Sequence, residues 1–170
     1  MSEKTMPITG GCLCGAVRYE AHEPPLRVAY CHCRMCQRAY GNLFGTFASF
    51  RIETFRYTRG EPRFYRSSAW AERGFCPTCG TPLVFLDATD TLGVLVGSLD
   101  HPEHWPPVAG HHLGIESQDH PEHWPPVAGH HLGIESQIPW LRIDDDLPRW
   151  RTEDYPEYRA AKAAAERGEG

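Results

Sequence analysis

The sequence predicts a mainly β protein with a short C-terminal helix, and three observations lead there. Short apolar runs recur between turn residues from Leu13 to Leu99, the signature of an all-β chain. The segment with a helical composition is the Ala-rich stretch 156–167, with Pro156 suited to a first helical position and Gly168 to a stop. Seven cysteines are gathered into short groups, as expected where metal knuckles tie strands together.

Taken in order, residues 1–8 form a short lead. Residues 13–19 alternate in a strand pattern, with Leu13, Gly15, Val17 and Tyr19 on one side. Pro24 and Pro25 interrupt it, and Leu26–Tyr30 is a second strand that delivers the next cysteines. A helical turn over Gln37–Tyr40 is stopped by Gly41-Asn42. Leu43–Phe50 is apolar on both faces and reads as a buried strand, with strand character continuing through Thr58. Arg59–Pro62 is a turn, and Arg63–Ser67 is another strand. Cys76-Pro77-Thr78-Cys79-Gly80 is a metal knuckle in which glycine permits the tight backbone. Leu83–Leu86 and Leu92–Leu99 are apolar strands separated by the turn Asp87–Asp90.

At 170 residues, 41% hydrophobic and 23% charged, the chain is expected to form one domain. Its formal charge of −5 leaves no basic surplus for nucleic acid. No apolar run reaches membrane-spanning length. The first residues carry no apolar signal region, so a reducing cytoplasmic setting is expected. There, clustered cysteines read as metal ligands or catalytic groups rather than disulfides.

The cysteines divide four plus three. Cys12-Leu13-Cys14 and Cys76–Cys79 are two pairs able to close one tetrahedral site, whereas Cys31-His32-Cys33-Arg34-Met35-Cys36 supplies three thiols. A structural zinc takes four protein ligands, and a catalytic zinc keeps three and an open position. Disulfides fit poorly with an odd number of cysteines, and the spacings do not match the usual iron–sulfur patterns. His32, between two ligands, is expected to point away. Arg34 and Arg38 are candidates for a substrate carboxylate, with solvated surface charge as the simpler reading.

Residues 100–118 recur without change as residues 119–137, and the two copies hold eight of the ten histidines. Two copies do not make a solenoid. Each copy carries three acids and no Lys or Arg, so one copy fewer would bring the net charge to −2. Adjacent histidines such as His111 and His112 point to opposite faces of a strand, and at most one histidine of the block is expected near the triplet.

Gly11-Cys12-Leu13-Cys14-Gly15-Ala16-Val17, Cys31–Cys36, Phe75–Gly80, Gly97–Asp100 and Pro139-Trp140 together resemble the glutathione-dependent formaldehyde-activating enzymes, also called the centromere protein V family. The resemblance runs from about Thr9 to Trp150. It implies a β-tent of short antiparallel strands built around zinc over residues 1–150, followed by an exposed tail over 151–170. It implies two zinc ions per chain, a structural one on Cys12, Cys14, Cys76 and Cys79 and a catalytic one on Cys31, Cys33 and Cys36. The implied activity is a carbon–sulfur lyase acting on the adduct of a small thiol, such as glutathione, with formaldehyde. The alternative is a non-catalytic zinc module that binds another protein. Against the family pattern one copy of the repeat is surplus. Either His111–Glu116 or His130–Glu135 is expected to take the strand position, with the other copy bulging out as a loop.

Overall fold

The computed structural model describes residues 6–87, 89–105 and 129–167. Among the described residues, eleven strands and two α-helices follow one another as β1 (Ile8–Gly11), β2 (Arg18–Ala21), β3 (Arg27–Cys31), α1 (Arg34–Tyr40), β4 (Gly45–Arg51), β5 (Phe55–Arg59), β6 (Arg63–Ser68), β7 (Ala71–Phe75), β8 (Pro82–Asp87), β9 (Thr91–Leu95), β10 (Gly129–Leu132), β11 (Arg149–Trp150) and α2 (Pro156–Glu166). The chain is mainly β, as its short apolar runs predict. None of the described helices is long and apolar enough to cross a membrane.

β1, β2 and β5 make a three-stranded sheet, and the other eight strands form a second in the order β11-β10-β3-β4-β9-β8-β7-β6. Pairing is antiparallel except at β10, which runs parallel to both β3 and β11. The expectation of short antiparallel strands therefore fails at one place, β10, which lies between β11 and β3 and has no hairpin connection to either.

Strand alternation gives the large sheet two different faces. Val28, Ala48, Phe50, Leu92, Val94 and Val84 point to one side and join Tyr19 of the small sheet, and Val17 just before it, in the main core. The Tyr19 ring meets Phe55 at 5.1 Å, and its buried hydroxyl pairs with the Ser98 hydroxyl at 2.7 Å. Arg27, Ala29, Cys31, Phe47, Ser49, Phe85, Arg73, Gly93, His130 and Leu132 alternate with these and line a cavity on the other side.

Two local expectations change. The strand placed over residues 13–19 is a turn as far as Val17, because Cys12 curls the chain around itself. The Cys12 carbonyl accepts from the amide of Gly15, and the Val17 amide donates to its sulfur at 3.2 Å. The lead placed over residues 1–8 ends in a strand, since Ile8 opens β1.

The repeat resolves in an unanticipated way. The head of the first copy is built in: Asp100 pairs with Arg18 and accepts from Thr9, and Trp105 is buried in the core. The strand position belongs to the tail of the second copy, as β10. One composite block is thus assembled from the two ends of the duplication, preserving continuity with Leu99 on one side and with Pro139 on the other. Residues 106–128, 23 in number, connect the halves, where a single copy would use four, 106–109. The loop expected of a surplus copy lies outside the described residues.

The tail also departs from a freely solvated segment. Most of its described side chains are exposed, but Tyr155 is buried, its ring 4.7 Å from that of His130, and Tyr158 meets Trp70 edge-on at 5.2 Å. A helix without an apolar stripe is held here by one tyrosine just ahead of it and one in its first turn.

Candidate functional site

The four cysteines of the two pairs converge. The sulfurs of Cys12, Cys14, Cys76 and Cys79 all lie within 4.8 Å of one another. Cys12 and Cys14 are 3.5 Å apart, and Cys14 and Cys76 are 3.8 Å apart. Four thiolates around zinc at about 2.3 Å form a tetrahedron with edges of ~3.8 Å, so the donor set fits that ion in type, number and spacing. Two turns deliver it. The β1–β2 turn carries the first pair. The β7–β8 turn carries the second, with Gly80 at φ 75° sending its amide back to the Cys76 carbonyl. Cys12 and Cys76 are buried, whereas Cys14 and Cys79 are exposed. The hydroxyl and amide of Thr81 hold the Cys79 thiol down at about 5.

The triplet forms a second cluster, its sulfurs also within 4.8 Å of one another. β3 ends at Cys31, the chain turns, and Cys33 becomes the N-cap of α1, its sulfur accepting from the Cys36 amide at 3.4 Å. Cys31 donates to Cys33 at 3.5 Å. S–H bonds from Cys31 and Cys36 pull Cys33 down to about 2, while donating to Cys33 raises Cys31. Holding all three as thiolates requires a positive ion. The cluster fits a zinc that keeps a fourth position for another ligand.

That position has somewhere to open. Cys31, Cys33 and Cys36 border a cavity of about 160 Å³ whose wall is mostly apolar and aromatic. Arg73 lies behind Cys36, 3% exposed, its guanidinium donating to Tyr40 and, at 3.6 Å, to the Cys36 sulfur. It also sits 4.9 Å from the centre of the Phe85 ring. His130 lines the same cavity. Sequence reasoning left both without a role: Arg73 lies in a strand it did not detect, and His130 is one of eight histidines in the duplicated block. The arginines it did single out, Arg34 and Arg38, border a different depression that none of the three cysteines lines.

His32 points away from the sulfurs, as its place between two ligands predicts. It is fully buried, and its Nε2 lies 2.9 Å from Nδ1 of His131. Nε2 of His131 is 3.0 Å from the Asp145 carboxylate, which Arg149 contacts at 3.1 Å. Burial holds His32 down at about 4, so it is neutral. With the Asp145 carboxylate accepting from Nε2–H of His131, Nδ1 of that ring accepts from Nε2–H of His32. The remaining buried atom, His32 Nδ1, has no partner among the described residues; in this tautomer it is a bare lone pair, which costs less than an orphaned N–H. The ladder ties the triplet to β10 and the 145–149 segment. Gly133, at φ 74°, completes the joint, since a Cβ there would meet the Cys33 amide nitrogen at 2.8 Å. The other histidines described in the repeat, His101 and His104, flank Glu103 on an exposed turn and do not line the cavity.

A mainly β protein with one four-thiol cluster and a separate three-thiol cluster facing a cavity defines a thiolate metal-centre class. Within it, the chain belongs to the glutathione-dependent formaldehyde-activating enzyme family, whose model matches residues 7–114. An uncharacterized lyase of Schizosaccharomyces pombe is 33% identical over 76 residues, a match spanning 45% of this chain and 55% of that protein. A crystal structure of a Rhodobacter sphaeroides protein aligns with a TM-score of 0.46 at 25% identity, over 66% of this chain and 94% of the other.

Proposed function

We propose that the chain is a zinc-dependent carbon–sulfur lyase that makes and breaks the adduct of a thiol with formaldehyde, with Cys31, Cys33 and Cys36 as its catalytic centre. The observation that carries this reading is the three-sulfur cluster bordering a cavity, in a chain of this family. Cys12, Cys14, Cys76 and Cys79 hold a second, structural ion. When bound at the triplet, zinc supplies charge neutralisation for three thiolates and a position that favours a sulfur ligand as thiolate.

The remaining chemistry belongs to the protein. Arg73 donates to Cys36 and places a buried positive charge next to the centre. The aromatic wall excludes water and holds the small reactants together, so proximity lowers the barrier. In the breaking direction the carbon–sulfur bond gives its electron pair to sulfur, the carbon–oxygen double bond forms, and the hydroxyl proton must leave. His130 is the imidazole on the cavity wall suited to take it, and it returns the proton to oxygen in the joining direction.

The test follows exchange between labelled formaldehyde and its thiol adduct by NMR. The zinc-loaded chain should accelerate it, and Cys33→Ser should reduce it to the uncatalysed rate. Equal exchange with the two proteins would reject the reading in favour of a non-catalytic zinc module.

A further inference from the structure

Resting on the lyase reading above, we propose that the cavity selects the adduct of a compact, uncharged, apolar thiol over that of glutathione. Its volume of about 160 Å³ is close to the ~150 Å³ of an apolar protein cavity that takes up benzene. Most of the surface facing it is apolar, and Phe47, Phe85, Trp70, Leu132, Tyr155 and Tyr158 are among the residues that line it. Glutathione is a tripeptide with two carboxylates and one ammonium, and each carboxylate taken from water needs a cation or several donors. Arg73 is already spoken for, bonded to Tyr40 and Cys36 and stacked between the Tyr40 and Phe85 rings at 5.1 and 4.9 Å. Among the described lining residues the other arginine is Arg27, and Asp87 places a carboxylate on the same wall. The pair best disposed for anionic recognition, Arg34 and Arg38, borders the separate depression, where Arg34 donates to Gln37.

The tail adds to the selection. Tyr155 lies tilted against His130 and Tyr158 meets Trp70 edge-on, and both tyrosines line the cavity. An aromatic or aliphatic thiol would exchange water for these rings. A peptide backbone with charged ends would lose hydration without replacement. The reaction is otherwise unchanged: the thiol sulfur bonds to the aldehyde carbon, the carbonyl electron pair moves to oxygen, and oxygen takes the proton.

Two matched pairs of probes test this on the zinc-loaded full chain. The unreactive thioethers benzyl methyl sulfide and S-methylglutathione report binding by saturation-transfer NMR. Benzyl thiol and glutathione report formaldehyde exchange. Binding and exchange should both favour the benzyl compound by about tenfold or more, the discrimination an apolar pocket achieves. Tyr155→Ala and the milder Phe85→Leu should narrow that ratio. Equal or tighter binding of S-methylglutathione overturns the proposal. Should neither thiol be exchanged faster than without protein, the lyase reading fails, and the thioether pair alone decides the cavity's preference.

Discussion

The two cysteine clusters invert the usual link between exposure and openness. The four-sulfur cluster sits at the surface, with Cys14 and Cys79 exposed, yet its own donors can fill a tetrahedron. The three-sulfur cluster is buried at Cys31 and Cys36, yet it offers only three donors, and its cysteines border a cavity. Reactivity in such a protein therefore follows ligand count and the shape of the wall, more than solvent access. The surroundings agree: the quartet is finished by turn amides and Thr81, whereas the triplet is backed by Arg73 and faced by His130.

The sharpest way to break this comparison is to remove one sulfur from each cluster. A structural zinc on thiolates contributes about 10–16 kcal/mol, against a whole-domain stability of about 5–15 kcal/mol. Cys76→Ser, in the core, should therefore abolish cooperative thermal unfolding. A melt within a few degrees of the parent chain would deny the quartet its structural role. Cys33→Ser should do the opposite, costing about 1–2 kcal/mol of stability while removing adduct exchange.

Smaller changes sharpen the picture of the triplet. Because the copies are identical, an altered second copy can be replaced by the first, so substitutions in the block are best made in both. His111→Gln with His130→Gln should lower kcat by about 10²–10⁴-fold, with both metals retained and the pH–rate profile altered in shape. Unchanged kcat would remove His130 from the proton transfer. Gly114→Ala with Gly133→Ala should cost about 1–2 kcal/mol for the left-handed backbone. Because the new methyl meets the Cys33 backbone, exchange should fall more than denaturant stability does.

These residues also mark what could be read beforehand. The split of cysteines was legible because i,i+2 and i,i+3 spacings belong to turns, and turns deliver ligands as local units. β3, β4, β8 and β9 were legible from apolar runs, and α2 from its composition. β7 was not, since Ala71-Glu72-Arg73-Gly74 looks polar until Arg73 is seen beneath two aromatic rings. Residues 13–17 alternate like a strand, but the bonds to Cys12 outweigh that pattern. His130 and His131 could not be distinguished from His111 and His112, because identical segments differ only in their connections. The pairing of His131 with Asp145 lies in tertiary structure alone.

The gentlest perturbation is deletion of residues 119–137. It leaves four residues between the Trp and the strand in place of 23, lowering closure entropy by about 1–2 kcal/mol. The melting temperature should rise by roughly 3–6 °C with exchange unchanged. A chain that no longer folds would show that the composite block needs both copies.

The most direct test of the central difference is to replace zinc by cobalt(II) and titrate with a small neutral thiol, mercaptoethanol, following the metal–thiolate absorption. An open triplet beside a closed quartet predicts that the part of the spectrum due to the triplet changes and saturates at one thiol per chain, and that Cys33→Ser removes this response. A spectrum in which neither ion responds, or in which both do, would contradict the account.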